Sequence, residues 1–198
     1  MWKVYAIFKM EIQEIFDNNN GFLKAKDLTS RNHWNQLKKL IDSGMVVKLK
    51  CGLYSLQQFS IISQNREVAQ IVPSGVICLF SAWRHYDLTT NNPFEYHLAI
   101  KREDRIKIPA YPPIKIYRWT EKYYNLGIVE TDTMKIYDLE KSVCDAVRFR
   151  NKVGMDIVIE VARNYVKRKN IRNFNKLTKY ARELRIEKIM QNIIMPML

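Results

Sequence analysis

The sequence is poor in glycine, proline, cysteine and histidine, and it has no long apolar run. The six glycines and six prolines are scattered among 198 residues, while hydrophobic residues make up 47% of the chain. This composition is typical of folded proteins and excludes a low-complexity or disordered chain. At this length two small cores are favoured over one, so we expect two domains.

The few cysteines and histidines exclude several kinds of site. Cys51, Cys78 and Cys144 form no Cys-x-x-Cys pair, so neither structural zinc nor a disulfide framework is indicated. No histidine has a second candidate ligand at metal-binding spacing. No segment approaches the about 18 apolar residues of a membrane span, and early charges interrupt any signal-peptide run. We expect a cytoplasmic protein without a metal or a membrane partner.

Catalytic motifs are also missing. No glycine opens a Gly-Lys-Ser/Thr turn, which excludes a phosphate-binding loop of that kind. Ser81 lacks the Gly-x-Ser-x-Gly turn that exposes a nucleophile. Asp138 and Asp145 are interpreted as a helix cap and a helix-surface residue, not as carboxylates of a two-metal centre. We therefore expect no cofactor, no catalytic residue and no enzyme activity.

Positive charge is what the sequence has in excess. Lysine and arginine number 33 against 20 acidic residues, which gives a net charge of +13. Such a chain is attracted to polyanions, of which nucleic acid is the most abundant. A solvated basic surface is the alternative, and charge alone does not distinguish DNA from RNA or an acidic protein.

The first third of the chain has the periodicity of helices. Apolar residues recur every three or four positions over residues 5–16, which predicts a first helix. A short second helix is predicted over residues 24–30. A third is predicted over residues 31–43, with Ser30 as its N-cap and Gly44 just past its end.

A β-hairpin is predicted after the third helix. Residues 45–50 alternate in polarity, Gly52 permits a tight reversal, and Leu53–Leu56 return as a second strand. Three helices followed by a hairpin make a winged helix-turn-helix, whose third helix enters a major groove. Residues 22–56 contain seven basic and two acidic residues. The module is predicted to bind DNA, although winged helices that dock proteins remain an alternative.

The predicted third helix has two chemically different faces. At about 100° per residue, one arc that we interpret as the core side carries Trp34, Leu37, Leu40 and Ile41. The opposite arc carries cations and amides, which suit phosphate, guanine and adenine. Two lysines at the hairpin tip are expected to reach flanking phosphates. The predicted DNA-binding residues are Arg31, Asn32, Asn35, Gln36, Lys39, Lys48 and Lys50.

The rest of the chain predicts a C-terminal domain with a mixed or antiparallel β-sheet and several helices, so the predicted fold class is α/β (α+β). Pro73 and Gly75 end a connector helix, which separates domains at residues 1–72 and 73–198. Period-two alternation predicts about four strands or more, within residues 95–101, 113–119 and 126–138. Helices are predicted within residues 139–150, 155–169 and 174–194.

The predicted helical tail is the most basic part of the chain. Residues 148–188 contain thirteen basic and four acidic residues. A solvated helical surface explains this excess, and a second nucleic-acid contact or a surface for an acidic partner are the alternatives.

Three sequence blocks occur in an order that one known family shows. The first runs from Leu37 to Gly44 and continues at Lys50-Cys51-Gly52-Leu53-Tyr54. The second runs from Ser81 to Thr89, and the third is "DLEKSVCD", from Asp138 to Asp145. Together they resemble the AbiEi-type antitoxins of type IV toxin-antitoxin and abortive-infection systems.

The resemblance implies a transcriptional repressor whose N-terminal domain binds double-stranded operator DNA of its own operon. It also implies a C-terminal domain that counters a nucleotidyltransferase toxin. The resemblance assigns contacts with the DNA groove to Arg31, Asn35, Gln36 and Lys39. It assigns contacts with the DNA backbone to Lys48 and Lys50. Two alternatives stay open: a winged-helix regulator without a toxin partner, and a nucleic-acid-processing enzyme.

Overall fold

The computed structural model describes residues 12–58 and 64–197, and the chain divides into two compact units. The first unit ends at Pro73 and also includes Lys107–Tyr111, whereas the second comprises Ser74–Ile106 and the chain from Pro112 onward. Both units contain helices and strands, so the predicted mixed α/β class is confirmed. Among the described residues, no helix is long and apolar enough to cross a membrane.

The first unit is built on a small antiparallel sheet in the order β1-β3-β2. The N-terminal part of the predicted first helix, up to residue 11, lies outside the described residues. The elements in chain order are α1 (described over residues 12–18), β1 (Phe22–Lys24), α2 (Arg31–Asp42), β2 (Val46–Lys50), β3 (Leu53–Leu56) and α3 (Gln64–Ile71).

The predicted helix α2 and the hairpin are confirmed, with limits that differ from the prediction by at most one residue. The Ser30 hydroxyl oxygen accepts a hydrogen bond from the His33 backbone N–H at 3.1 Å, which caps the helix. Gly44 follows the last turn with φ at 73°, a conformation that favours glycine. The chain then reverses between Lys50 and Leu53, which are paired across the hairpin.

The predicted second helix is wrong in extent. Only Ala25–Asp27 forms a helical turn, of the 3-10 type, and Phe22–Lys24 before it is a strand that pairs with β3. Phe22 and Leu23 are both buried although they point to opposite faces of the sheet. Burial on both faces favours a strand over a short surface helix.

The second unit contains a five-stranded mixed sheet in the order β6-β5-β4-β8-β7, and its helices include four longer than seven residues. The β4–β8 and β5–β6 pairs are parallel, and the other two pairs are antiparallel. The strands are β4 (Val76–Ile77), β5 (Tyr96–Lys101), β6 (Ile114–Trp119), β7 (Ile128–Glu130) and β8 (Lys135–Tyr137). The helices are α4 (Leu79–His85), α5 (Glu121–Tyr124), α6 (Leu139–Arg148), α7 (Arg150–Val153), α8 (Met155–Lys167), α9 (Phe174–Glu183) and α10 (Glu187–Ile194).

Helix α6 is the centre of the second unit. Every residue from Leu139 to Val147 is buried, and the helix packs against α4, α8 and α9. The predicted helical segment 174–194 divides into α9 and α10 at Arg185, whose φ is 57°. This left-handed residue lets α10 turn back onto α8 and α9 instead of continuing outward.

Gly127 has no side chain, and this leaves room for the residues that begin α6. A larger residue at this position should therefore lower the stability of the protein. A Cβ atom there would lie 2.8 Å from the Lys141 Cβ and 2.9 Å from the Asp138 Oδ2 atom, at a φ of 73°. Gly127→Ala should therefore combine a left-handed strain of about 1 kcal/mol with an overpacking cost of about 1–3 kcal/mol. The measurement is the free energy of unfolding in urea.

Gly44→Ala is the matched control, because Gly44 has the same φ and, apart from its neighbours in the chain, no atom within 4 Å of the added Cβ. Gly44→Ala should lower the free energy of unfolding only by the left-handed strain of about 1 kcal/mol. Equal losses in the two variants would contradict the proposed crowding at Gly127.

Candidate nucleic-acid interface

Helix α2 is anchored to the first unit on one side only. Leu37 is its one buried residue, and Leu40 and Ile41 are half-buried beside it. These three pack into a core with Phe16 and Tyr54. The opposite side of the helix is consequently left in solvent.

Five neighbouring side chains form the exposed side, which we call the α2 face. It joins three cations to an amide and an indole, and all five residues are exposed. None of the ion pairs among the described residues involves its cations, and Asp42 is the acidic residue on the same side. The α2 face consists of Arg31, Trp34, Asn35, Lys38 and Lys39.

The predicted core position of Trp34 is wrong. Its side chain is 45% exposed, whereas Trp83 and Trp119 in the second unit are 0% and 8% exposed. The helical spacing was correct, but the buried arc is centred nearer to Leu37 and Leu40 than expected. Lys38, which is not among the predicted DNA-binding residues, joins the face for the same reason. Its position seven residues after Arg31 was the available signal, since such residues lie on one side of a helix.

Two predicted contact residues of α2 lie at the margin of this face. Asn32 and Gln36 are half-buried. The Oε1 and Nε2 atoms of Gln36 are both buried, and neither has a hydrogen-bond partner among the described residues. The Gln36 amide therefore does not point outward with Asn35 and Lys39.

A β-bulge between Lys48 and Lys50 places the two hairpin lysines on opposite faces of the sheet. Lys48 lies opposite Tyr54, whose ring is in the core beneath α2, and Lys50 lies opposite Leu53. Lys48 is exposed on the edge strand β2. Because the two faces differ, only Lys48 shares the side of the sheet against which α2 packs.

Lys50 has a partner within its own unit. Its Nζ atom donates a hydrogen bond to the Ile71 carbonyl oxygen at 2.7 Å, at the end of α3. Burial lowers the pKa of Lys50, and the neighbouring Lys24 ammonium lowers it further. The geometry thus gives Lys50 a role in joining the hairpin to α3.

The block from Asp138 to Asp145 forms a buried polar network. The Lys141 ammonium lies 2.7 and 2.8 Å from the two Asp145 carboxylate oxygens. It also lies 4.0 Å from the Trp119 ring centroid and 4.3 Å from that of Tyr137, within the range of cation–π attraction. Burial raises the pKa of Asp145, and the Lys141 ammonium opposes this shift. The predicted helix-surface position of Asp145 is wrong, because its exposure is only 1%.

The predicted capping role of Asp138 is confirmed. Its Oδ1 atom accepts a hydrogen bond from the Lys141 backbone N–H at 2.8 Å. Its Oδ2 atom accepts a hydrogen bond from the Tyr180 hydroxyl at 3.0 Å and lies 3.0 Å from the Lys176 ammonium. One carboxylate thereby begins α6 and fastens α9 to it.

Glu140 connects the same helix to the loop before α9. Its Oε1 atom accepts hydrogen bonds from the Asn173 backbone N–H at 2.9 Å and from the Tyr165 hydroxyl at 3.4 Å. The Lys176 ammonium lies 3.8 Å from Oε2. The carboxylates of this block are engaged with the protein itself, an arrangement that stabilises a fold. Among the described residues, no group of three or more metal-binding side chains can hold an ion.

In the basic helical segment, residues 148–188, some of the cations contact other residues of the protein. Arg168 donates hydrogen bonds to the Tyr86 carbonyl oxygen at 3.0 Å and to Asp87 at 3.2 Å. Arg182 pairs with Glu187 at 2.7 Å. Several other cations of the segment are exposed, namely Arg163, Lys167, Lys169, Lys179, Arg185 and Lys188.

In comparisons with known proteins, no family model and no curated protein match the chain.

The ion pair in α6 gives a second prediction. Asp145→Asn leaves the Lys141 ammonium buried without its counter-charge, so the free energy of unfolding should fall by about 3–5 kcal/mol. The double variant Lys141→Met, Asp145→Leu removes both charges and should lose much less. Urea unfolding followed through tryptophan fluorescence measures both. A larger loss in the double variant than in Asp145→Asn would show that packing, not the unpaired charge, dominates.

Proposed function

We propose that this chain is a cytoplasmic DNA-binding antitoxin and transcriptional repressor of the type IV, AbiE-like kind. In this proposal the α2 face enters the major groove of operator DNA. The observation that carries the DNA-binding half is the α2 face itself, which has three exposed cations outside the ion pairs found and one exposed amide on a single side of a capped helix.

The arrangement around α2 supports a winged helix-turn-helix. A helix, a helical turn and α2 precede an antiparallel hairpin, and β1 pairs with the second hairpin strand. Such modules place one helix in the groove and use neighbouring cations on the backbone. Lys48 has the position for a backbone contact, since it is exposed on the face of the sheet that meets α2.

The α2 face also has the chemistry of base recognition. Arg31, Lys38 and Lys39 are suited to phosphate oxygens or guanine, and Asn35 is suited to adenine. Gln36 and Lys50, included in the sequence prediction, are left out of the proposed contacts because the structure turns their polar atoms inward.

The antitoxin half of the proposal rests on the resemblance of the three sequence blocks. The third block is the buried core helix of the second unit, with its carboxylates held by internal partners. Their engagement with internal partners gives these carboxylates a structural role. The proposed partner is a nucleotidyltransferase toxin encoded beside this chain.

Charge removal on the α2 face tests DNA binding. Lys39→Ala should weaken binding to duplex DNA from the upstream region of the gene by about 1 kcal/mol at fixed salt. Lys48→Ala should do the same, whereas Lys50→Ala should change affinity little, because the Lys50 ammonium is bound to Ile71. Fluorescence anisotropy measures the dissociation constants, with the exposed Lys122 of the second unit as the control lysine. Equal effects of Lys48→Ala and Lys50→Ala would contradict the assignment.

Separation of the two activities tests the antitoxin proposal. The full chain with Arg31, Lys38 and Lys39 all changed to alanine should lose operator binding but still restore growth when the neighbouring nucleotidyltransferase is expressed. Colony counts and a promoter-reporter assay measure the two activities in one strain. DNA binding without any rescue by the wild-type chain would favour a regulator that has no toxin partner.

A further inference from the structure

The indole of Trp34 is an exposed apolar surface in the middle of a charged face. It is 45% exposed, and none of the ring–ring or cation–π contacts found among the described residues involves it. Its counterparts Trp83 and Trp119 are buried in the second unit. A large aromatic side chain left in solvent keeps its apolar area available for burial against a partner.

The neighbours of Trp34 identify the chemistry of that partner. Arg31 precedes it by three residues and Lys38 follows it by four, so both cations lie beside the indole on the helix surface. A polyanion complements these charges. An acidic protein surface would satisfy them as well, but it gives no use to the adjacent Asn35 amide, which matches the donor–acceptor edge of adenine.

We propose that Trp34 is a specificity-determining residue that packs against thymine methyl groups in the major groove. The inference rests on the proposed DNA-binding function. Thymine is the base that presents an apolar group there, through its C5-methyl. Because Trp34 and Asn35 are both exposed on the α2 face, an adenine bound by Asn35 has a thymine partner whose C5-methyl lies in the same groove as the indole. The α2 face would thus favour A·T pairs through one amide and one apolar contact.

Removal of single methyl groups from DNA tests the proposal. The wild-type chain is used to select its preferred sequence from duplexes with a randomised centre, and each thymine of that duplex is then replaced by uracil. At one or two positions the substitution should weaken wild-type binding about fourfold, the effect of losing one buried methyl-sized group. Trp34→Gln should bind the thymine and uracil duplexes equally. Trp34→Phe should still bind the thymine duplex more tightly than the uracil duplex. Phe94→Ala is the control, because it removes a different exposed aromatic side chain.

These experiments distinguish a failure of the Trp34 inference from a failure of the proposed DNA-binding function. If Trp34→Gln discriminates between thymine and uracil as the wild type does, while Lys39→Ala still weakens duplex binding, the role of Trp34 is overturned and the DNA-binding proposal stands. If Trp34→Gln abolishes toxin rescue without changing duplex affinity, Trp34 docks a protein and the inference is wrong. If the wild-type chain shows no salt-dependent duplex binding, the proposed function fails and this inference fails with it.

Discussion

The rotation of α2 about its own axis is the constraint on which the functional interpretation depends. Leu37 is the residue of this helix that inserts fully into the core of the first unit, so its position fixes which side chains meet solvent. The consequence is an outward arc with cations, an amide and an indole. A rotation of one residue, about 100°, would bury part of this arc and expose the Gln36 amide instead.

The second unit depends on a different constraint, the burial of α6 on all sides. A helix with charged residues in such a place is stable only if those charges are paired and hydrogen-bonded. Lys141 and Asp145 pair within α6. Asp138 and Glu140 bind groups from α8, from α9 and from the loop that precedes α9. The block from Asp138 to Asp145 therefore joins α6 to α8 and α9.

Local signals in the sequence predicted much of this structure, and nonlocal features explain what they missed. The capping roles of Ser30, Gly44 and Asp138 involve atoms within a few residues of each, so the sequence was enough to predict them. The spacing of apolar and polar residues predicted that α2 has two faces, but tertiary packing decides where its buried arc is centred. Trp34 and Gln36 were misplaced for that reason. The strand at Phe22–Lys24 depends on pairing with β3, and the burial of the Lys141–Asp145 pair involves the Trp119 and Tyr137 rings, which come from strands earlier in the chain. Lys50 was assigned to DNA because its partner, the Ile71 carbonyl oxygen, is 21 residues away.

The salt dependence of duplex binding tests the central claim most directly. Each phosphate contact contributes about 0.9 to the slope of log affinity against log salt concentration. If Arg31, Lys38 and Lys39 all contact phosphate, the variant with all three changed to alanine should have a slope shallower than that of the wild type by about 2–3. An unchanged slope, with the variant still folded, would contradict the account, because it would mean that the outward side of α2 does not meet DNA.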